Sequence, residues 1–540
     1  MYVDIVPNRN SPPAVLIREN YREDGKVKHR TLANISHLHA ERIMAVKRAL
    51  RGDFDAVVGE DIETLMIEQG PQYGALYLLH ELSKEIGLAK VLGNGRRGKL
   101  ALLLVMAQVI FKGSRLGVVK WAQNQAVFEV LGLGSPGETD FDEDTLYRVL
   151  DEVADRRFEI QLGLFRSRKK HASRLFLYDV TSSYLEGICN ELGEWGYNRD
   201  GKKGKKQIVI GLLADQEGDP VAVEVFQGNT SDPKTVTSQI ELLSKRFKVS
   251  EVVFVGDRGM LKSAPIEQLA TEHFHYITAI TKPQIESLIK QGVLQLGLFD
   301  ENLGEVEHDG IRYVFRRNPV RVRELEDSRH QRINKARQYA QKLSANLEAS
   351  PRKSVEVAQR NVRDKIVQLK IDGFARACLQ ERKVFVELDE QALTKRSRFD
   401  GVYVLKTDTK SDNLDTEAVH TAYKSLLRVE RDFRTMKSGL EIRPVFVRKK
   451  SRTMGHVLVV MLALILEREL GKRLSRIPME VSHAIAAMNG WCLLRQSLGP
   501  VRVSQLPKPN QIQSTILAAT GFKQPASLSV ARKKNRKTKR

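Results

Sequence analysis

Three carboxylates in this sequence stand where a carboxylate needs a reason. Asp179 lies inside the apolar run LFLYDVT, where a charge is costly unless it is paired or holds a metal. Asp257 closes VVFVGDRG, with Gly256 and Gly259 permitting a tight exit from a strand, and strand ends are where α/β proteins place their chemistry. Glu430 sits in LLRVERDFRTMK, with Lys424, Arg428, Arg431, Arg434 and Lys437 all within seven residues of it. Tyr423, Glu430 and Lys437 recur at a spacing of seven, which puts them on one helix face with a drift of only ~20° per step and a separation of ~10.5 Å. A metal at Glu430 would have a phenol on one side and a cation on the other, suited to phosphates flanking a scissile one. Each residue also has a plainer reading. The aspartates could cap turns, and Glu430 could pair with Arg434 for only a few tenths of a kcal/mol. Together, in a basic chain, the three favour a site. Carboxylates without a histidine or cysteine cluster call for a hard cation, Mg²⁺ or Mn²⁺. Two such ions ~3.5–4 Å apart serve in-line phosphoryl transfer, by hydrolysis or by transesterification of a phosphodiester.

The elements that must position these groups can be read along the chain. AVLIRENYREDGKVKHRTLAN, residues 14–34, reads as two strands turning at Asp24-Gly25, a common hairpin pair. From about 36 to 170 the pattern is helical, and Leu146, Val149, Leu150 and Val153 follow the acidic start DFDED at helical spacing. At 175 the texture changes to short β-rich runs (RLFLYDVTSS, KKQIVIGLLA, PVAVEVFQ, EVVFVGDRG, HYITAI), which predict three antiparallel strands followed by further strands and helices in one α/β sheet. Residues 282–400 read as an insertion. Ile333, Ala336, Ala340, Leu343 and Leu347 form one narrow apolar stripe, and Val355, Ala358, Val362, Ile366 and Leu369 form a second after SPRK. The stripes predict a helical hairpin over about 322–370 that buries too little to anchor a core. Sheet texture returns in GVYVLKTD at 401–408, followed by the Glu430 helix, an apolar helix from Val457 and a helical C-terminal region ending in the basic tail ARKKNRKTKR. The expected segments are therefore 1–170, 171–281, 282–400, 401–475 and 476–540.

The 540 residues carry 88 Lys plus Arg against 66 Asp plus Glu, a formal charge of +22 that favours a polyanionic partner. A membrane is the poorer partner. The longest apolar runs, Leu100–Ala107 and Val457–Leu466, fall well short of the ~20 residues a spanning helix needs, and MYVDIVPNRN has no hydrophobic signal core. Cys189, Cys378 and Cys492 are too far apart in sequence for a disulfide framework or a zinc pattern. A soluble cytosolic protein that handles nucleic acid is expected, with the basic tail adding electrostatic affinity.

In ordered stretches the chain resembles DDE insertion-sequence transposases, in particular the insertion-sequence-four type with a Tyr-Arg-Glu-Lys signature. The stretches are YDVTSSYLEG, FQGNTSD, VGDRGM, FDGVYVLKTD, YKSLLRVERDFRTMKSGLEIRPVFVR and GHVLVVMLALIL, spanning roughly residues 170–475. The resemblance implies an RNase H-like core interrupted by an insertion, behind a mainly helical N-terminal region that binds DNA. It implies that Asp179, Asp257 and Glu430 are the catalytic, metal-holding residues, with two Mg²⁺ ions for which Mn²⁺ can substitute. Tyr423 and Lys437 match the flanking signature positions, with Lys437 exposed and gripping a phosphate. Leu426 stands where the signature has arginine, leaving Arg428 or Lys424 to supply that contact. Some relatives hold a flipped base with a tryptophan of the insertion. Trp121, Trp195 and Trp491 all lie outside 282–400, which argues against a hairpin step. The implied partners are double-stranded transposon ends and target DNA, and a second copy of the chain in a paired-end complex. The implied setting is the nucleoid of a bacterial or archaeal cytoplasm. An RNase H-like nuclease without strand transfer, and a non-catalytic DNA-binding descendant, are the alternatives.

Overall fold

Asp24 and Gly25 both take positive φ, 52° and 73°, as the tight turn matching the twist of two paired strands requires. They join the last two of three antiparallel strands, β1 (Tyr2–Val6), β2 (Ala14–Glu23) and β3 (Lys26–Asn34), which lead to the helix Ala40–Arg51. The structure is a computed structural model. It describes the whole chain except residues 10–11, 53–65, 134–140, 168–173, 296, 298, 300–301, 499–500, 526–529 and 533–540. Most of the expected basic tail lies outside the described residues. The chain divides into two compact units, one of Met1–Leu78, Ala122–Gly132 and Leu474–Arg540, the other of Leu79–Trp121 and Leu133–Arg473.

In the first unit β4 (Met66–Gln72) waits for partners from the far end of the chain. In the second unit, the expected helix at 143–155 forms with Leu146, Val149, Leu150 and Val153 buried, and Asp142 caps it by accepting from the amide of Thr145. The apolar run Val457–Leu466 lies within the helix Lys450–Leu474 and is buried almost throughout. Among the described residues no single helix is long and apolar enough to cross a membrane.

The second unit is built on an eight-stranded sheet. β5 (Leu175–Tyr184), β6 (Gln207–Asp215) and β7 (Pro220–Gln227) form an antiparallel meander, as the β-rich runs predict. β6, QIVIGLLAD, is buried at eight of its nine residues, the unbroken apolar pattern of a strand covered on both faces. β8 (Val253–Gly256) and β9 (His275–Ala279) follow, parallel to β5. Phe176, Tyr178 and Val180 from one face of β5 meet Val236, Ile240, Phe247, Phe254 and Leu269 in the main core.

β10 (Gly304–His308) and β11 (Ile311–Arg317) extend the same sheet instead of belonging to an insertion. They are followed by β12 (Ala375–Gln380), β13 (Lys383–Leu388) and β14 (Val402–Thr407), and the sheet order is β10-β11-β14-β9-β8-β5-β6-β7. Arg317 pairs with Val402, so the excursion that follows β11 runs from Asn318 to Gly401. The excursion starts later than the expected 282, because β11, carrying β10 on its other edge, finds its partner β14 beyond it in sequence.

The segment holds the predicted helices, Pro319–Glu348 and Val355–Gln368, but it does anchor a core. The β12–β13 hairpin lies against both stripes, and Ile333, Ala336, Ala340, Val362 and Ile366 pack with Phe374, Val384 and Val386. A two-helix reading undercounted the buried area because it left out the hairpin that covers it. At the stem, Gly401 has φ 70°, and a Cβ there would lie 2.5 Å from the carbonyl oxygen of Asn318.

The C-terminal region is not wholly helical. Besides the helices Val481–Asn489 and Gln511–Thr520 it contributes β15 (Cys492–Leu498), β16 (Val501–Gln505) and β17 (Val530–Arg532), in the order β17-β16-β15-β4. β15 pairs with a strand more than four hundred residues earlier, a partner that no local pattern announces. Trp491 is buried in this unit and donates its indole N–H to the carbonyl of Pro507.

The separate core of 319–400 and the direct β11–β14 pairing predict an outcome for excision. Replacing that segment by a loop of about two to five residues, a usual hairpin length, should leave a folded protein with a cooperative thermal transition. Aggregation, or loss of the cooperative melt, would mean that the segment supports the sheet.

Candidate active site

Parallel pairing of β8 with β5 ends at Tyr178↔Gly256. The next residues on the two strands are Asp179 and Asp257, so the register brings them side by side on neighbouring strands ~4.8 Å apart. Side chains alternate along a strand, so Asp179 points away from the core face occupied by Tyr178. Tyr178 itself crosses β6 at Gly211, where a Cβ would lie 2.2 Å from the phenol oxygen. One oxygen of Asp179 accepts from the amide of Val180, and one of Asp257 from the amide of Arg258, both at 2.8 Å. The Tyr423 hydroxyl donates to the same Asp257 oxygen at 3.1 Å.

The helix Leu426–Arg434 packs on β5 through buried Leu426, Val429, Asp432 and Phe433, which leaves Glu430 exposed. Its rotation is fixed by Asp432, which takes both of its bonds, 2.7 and 2.8 Å, from one guanidinium nitrogen of Arg468. Burial raises Asp432 to about 6 despite that arginine. Arg468 and Lys472 also reach Asp219, at 3.2 and 2.6 Å. The expected single helix from Tyr423 to Lys437 is in fact three segments: Thr416–Lys424, Leu426–Arg434 and a π-helical turn, Thr435–Gly439. A π turn is wider than an α turn and recurs at functional sites. Here it brings Lys437 round beside Asp200.

The structure gathers Asp179, Asp257 and Glu430 at the junction of two clefts. One, of about 1210 Å³, is also lined by Arg199, Asp200, Asp232, Arg434, Lys437 and Arg443. The other, of about 1050 Å³, is lined by Arg316, Tyr403, His420, Tyr423, Lys424 and Leu426. Glu430 forms no ion pair among the described residues, so the plain Glu430–Arg434 salt bridge is absent.

Asp179 is raised to about 7, first by burial and then by the charges of Asp257 and Glu430, against the Val180 amide and Arg199. Burial, with the charge of Asp257 behind it, keeps Tyr423 protonated as a donor. Hard oxygen donors that repel one another are the chemistry a divalent cation fits. Among the described residues, no three Asp, Glu, His or Cys side chains are already close enough together to hold a metal ion. The three carboxylates converge on one place without closing into a coordination shell.

Two of the residues expected to contact DNA sit elsewhere than expected. Lys437 is not exposed: its side chain is 13% accessible, and its ammonium donates to Asp200 at 2.7 Å, alongside Arg443 at 2.6 Å. Burial lowers its pKa, with Asp200 opposing. Arg428 turns away from both clefts, packing on Gly218 and donating to the carbonyl of Gln216 at 3.3 Å. Lys424 and Leu426 face the second cleft.

Sequence reading missed Arg199, Asp200, Asp232 and Arg443 around the first cleft. Arg199 and Asp200 lie in the polar stretch NRDGKKG between two apolar strands, and Asp232 and Arg443 in the stretches FQGNTSD and YKSLLRVERDFRTMKSGLEIRPVFVR that carry the resemblance. It also missed Arg316, Tyr403 and His420 around the second, which come from β11, β14 and the helix before Glu430; of these, Tyr403 lies in the stretch FDGVYVLKTD. Arg199 makes two 2.8 Å bonds to Asp232. His420 is buried, bonded through Nε2 to the Tyr403 hydroxyl, and lowered in pKa chiefly by burial.

Residues 170–466, more than half of the chain, match the family model described as the transposase DDE domain. Residues 3–60 match the IS1634 family transposase N-terminal domain. Among solved structures, a piggyBac transposase synaptic complex with hairpin DNA is 8% identical with a TM-score of 0.33, over 75% of this chain and 70% of that one. A Mos1 transposase paired-end complex with left transposon end is 14% identical with a TM-score of 0.15, over 33% of this chain and 57% of that one. No curated protein matches the chain.

The raised pKa of Asp179 has a consequence for stability. Its folded value of about 7 lies above the ordinary 3.8, so between the two the native state keeps a proton that the unfolded chain has released. Stability from this group therefore falls as pH rises from about 4 to about 7 and levels off above. Chelator-treated protein should lose melting temperature over that range. Asp179→Asn should flatten part of the loss and melt higher than wild type near neutral pH. An asparagine variant that melts lower there would show that the carboxyl is not held against a charge penalty.

Proposed function

The chain belongs to the transposase DDE-domain family, whose model spans residues 170–466, and on that premise we propose that Asp179, Asp257 and Glu430 are the carboxylates with which it cuts and joins DNA. The protein is a DNA transposase, and the family's chemistry is metal-dependent cleavage and strand transfer. The observation that carries the proposal is the convergence of these three side chains at one junction of cation-bearing clefts.

The strand order β7-β6-β5-β8-β9, with the first three antiparallel and β8 and β9 parallel to β5, supports an RNase H-like core. Tyr423, Glu430 and Lys437, all at the site, support the insertion-sequence-four signature. The three carboxylates would hold two Mg²⁺ ions, replaceable by Mn²⁺. When bound, such ions supply the positive charge that in-line phosphoryl transfer needs at the attacking and leaving oxygens. Tyr423 orients Asp257 by its hydrogen bond. Lys437 and Arg443, fixed by Asp200, form a rigid cationic wall along the first cleft. The substrates are the terminal inverted repeats of the element and then its target DNA. Joining two ends calls for a second copy of the chain.

End recognition is assigned to the first unit, whose residues 3–60 match the IS1634 transposase N-terminal domain. That unit also draws on residues 122–132 and 474–540. A fragment of 1–165 would sever the sheet that β4 completes with β15, so binding is best measured on the full chain.

Asp179→Asn, Asp257→Asn and Glu430→Gln keep shape and remove the charge that holds the metal. Each should abolish cleavage and joining of a labelled element end while preserving or tightening its binding, since repulsion from phosphate is relieved. Ca²⁺ should support binding with little cutting, because its larger, looser shell suits the geometry poorly. Near-normal cutting by Glu430→Gln would sink the assignment.

A further inference from the structure

The two clefts beside the carboxylates differ in how their cations are held. In the first, Arg199 pairs with Asp232, and Lys437 and Arg443 share Asp200, while Arg434 forms no ion pair among the described residues. Among the described residues lining the second, the acids beside Arg316 and Lys424 are the three carboxylates themselves, while Glu417, outside the lining, reaches His420 at 3.7 Å. Arg316 forms no ion pair among the described residues, and its Nε is buried with no hydrogen-bond partner. It stands on β11 directly opposite Tyr403 on β14, whose ring stacks on His420 with centroids 5.7 Å apart.

Arg316 therefore lines the cleft beside a stacked ring pair with no ion pair of its own, a placement that suits an anion arriving from outside. Its planar fork matches two oxygens of a phosphate. We infer that Arg316, with Lys424, binds one backbone phosphate of the DNA next to the scissile phosphate, on the Tyr423 side of the carboxylates. This rests on the transposase reading above and adds a residue that lies on a different element from the Glu430 helix. The first cleft, most of its cations already fixed by ion pairs, serves as a preformed wall. The second is where the incoming strand itself completes the electrostatics.

The test uses the full chain and a labelled duplex carrying the terminal sequence of its own element. Phosphates around the cut are replaced one at a time by neutral methylphosphonate. In wild type, one position on the Tyr423 side should slow cleavage by about tenfold or more, the scale of a lost charge-assisted bond. Arg316→Ala should slow cleavage of unmodified DNA by a similar factor, and in that variant the same methylphosphonate should add little, since the two changes remove one contact. Arg316→Lys, which keeps charge and loses the fork, should fall between. The double variant Arg316→Ala/Leu426→Arg, which returns a guanidinium to the same cleft from the helix, should recover part of the loss. In a gel-shift titration Arg316→Ala should lower the log–log salt slope by about one, a readout that a purely structural defect would not produce. Wild-type cleavage by Arg316→Ala, or methylphosphonate effects that simply add to the mutation at every position, would overturn the inference. If wild type cut no element end at all, the transposase reading would fail, and the salt slope alone would still decide whether Arg316 holds a phosphate.

Discussion

β8 pairs with β5 for only four residues, Leu175↔Val253 to Tyr178↔Gly256, and the site depends on where that short parallel ladder stops. One more pair would bury Asp257 in the sheet, and one fewer would move it a residue away from Asp179. Parallel strands in neighbouring positions require a crossover. Here it is the helix Asp232–Glu241 with its π-helical continuation, which packs Val236, Ile240 and Phe247 against the β5 face opposite Asp179. The apolar residues of the crossover and the acid of the site thus use alternate positions of one strand. A residue slip would exchange them.

The remaining charges are organised by buried ion pairs whose worth lies in placement. Burying two charges costs about as much as their attraction returns, whereas removing one partner leaves the other unpaired and is strongly destabilising. Asp432 with Arg468 is such a pair. Burial lifts the carboxyl to about 6 in spite of the arginine, so the pair adds little net stability while fixing which face of the Leu426–Arg434 helix Glu430 occupies. Asp200, 1% exposed, does the same for Lys437 and Arg443. These two acids hold the scaffold so that Asp179, Asp257 and Glu430 need no cation of the protein's own.

What the sequence disclosed and what it concealed divide along physical lines. Asp179 was legible because a charge inside LFLYDVT violates the apolar pattern around it, and Asp257 because glycines bracket it at a strand end. The Asp24-Gly25 turn and the helix starting after Asp142 were legible because their signals are local. The β4–β15 pairing, the place of β10 and β11 in the main sheet and the hairpin covering 319–368 were hidden, because each needs a partner far away in the chain. Lys437 misled for the same reason. Its spacing from Glu430 is a helical fact, but its burial comes from Asp200, on a loop more than two hundred residues earlier. Arg316 had no sequence signature at all. It became visible only when the sheet set it opposite Tyr403.

The excursion at 318–401 is rooted in the site rather than hung from a remote edge. Arg316 on the outgoing strand, Asn318 just past its end and Tyr403 on the returning strand all line the second cleft. Asn318 caps the Pro319–Glu348 helix by accepting from the amides of Val320 and Arg321. The stem is closed by the contact of Arg329 with buried Asp400 and by the tight return at Gly401. That 30-residue helix therefore starts at a pair of strands whose ends carry cleft residues. The root is held by a capped helix start, an ion pair and a glycine with no room for a side chain. The segment is thus rooted beside the cleft that holds Arg316, while its core is built apart from the sheet's and only Phe399, at the root, packs on the cluster of Tyr313, Phe315 and Val404 among the described residues.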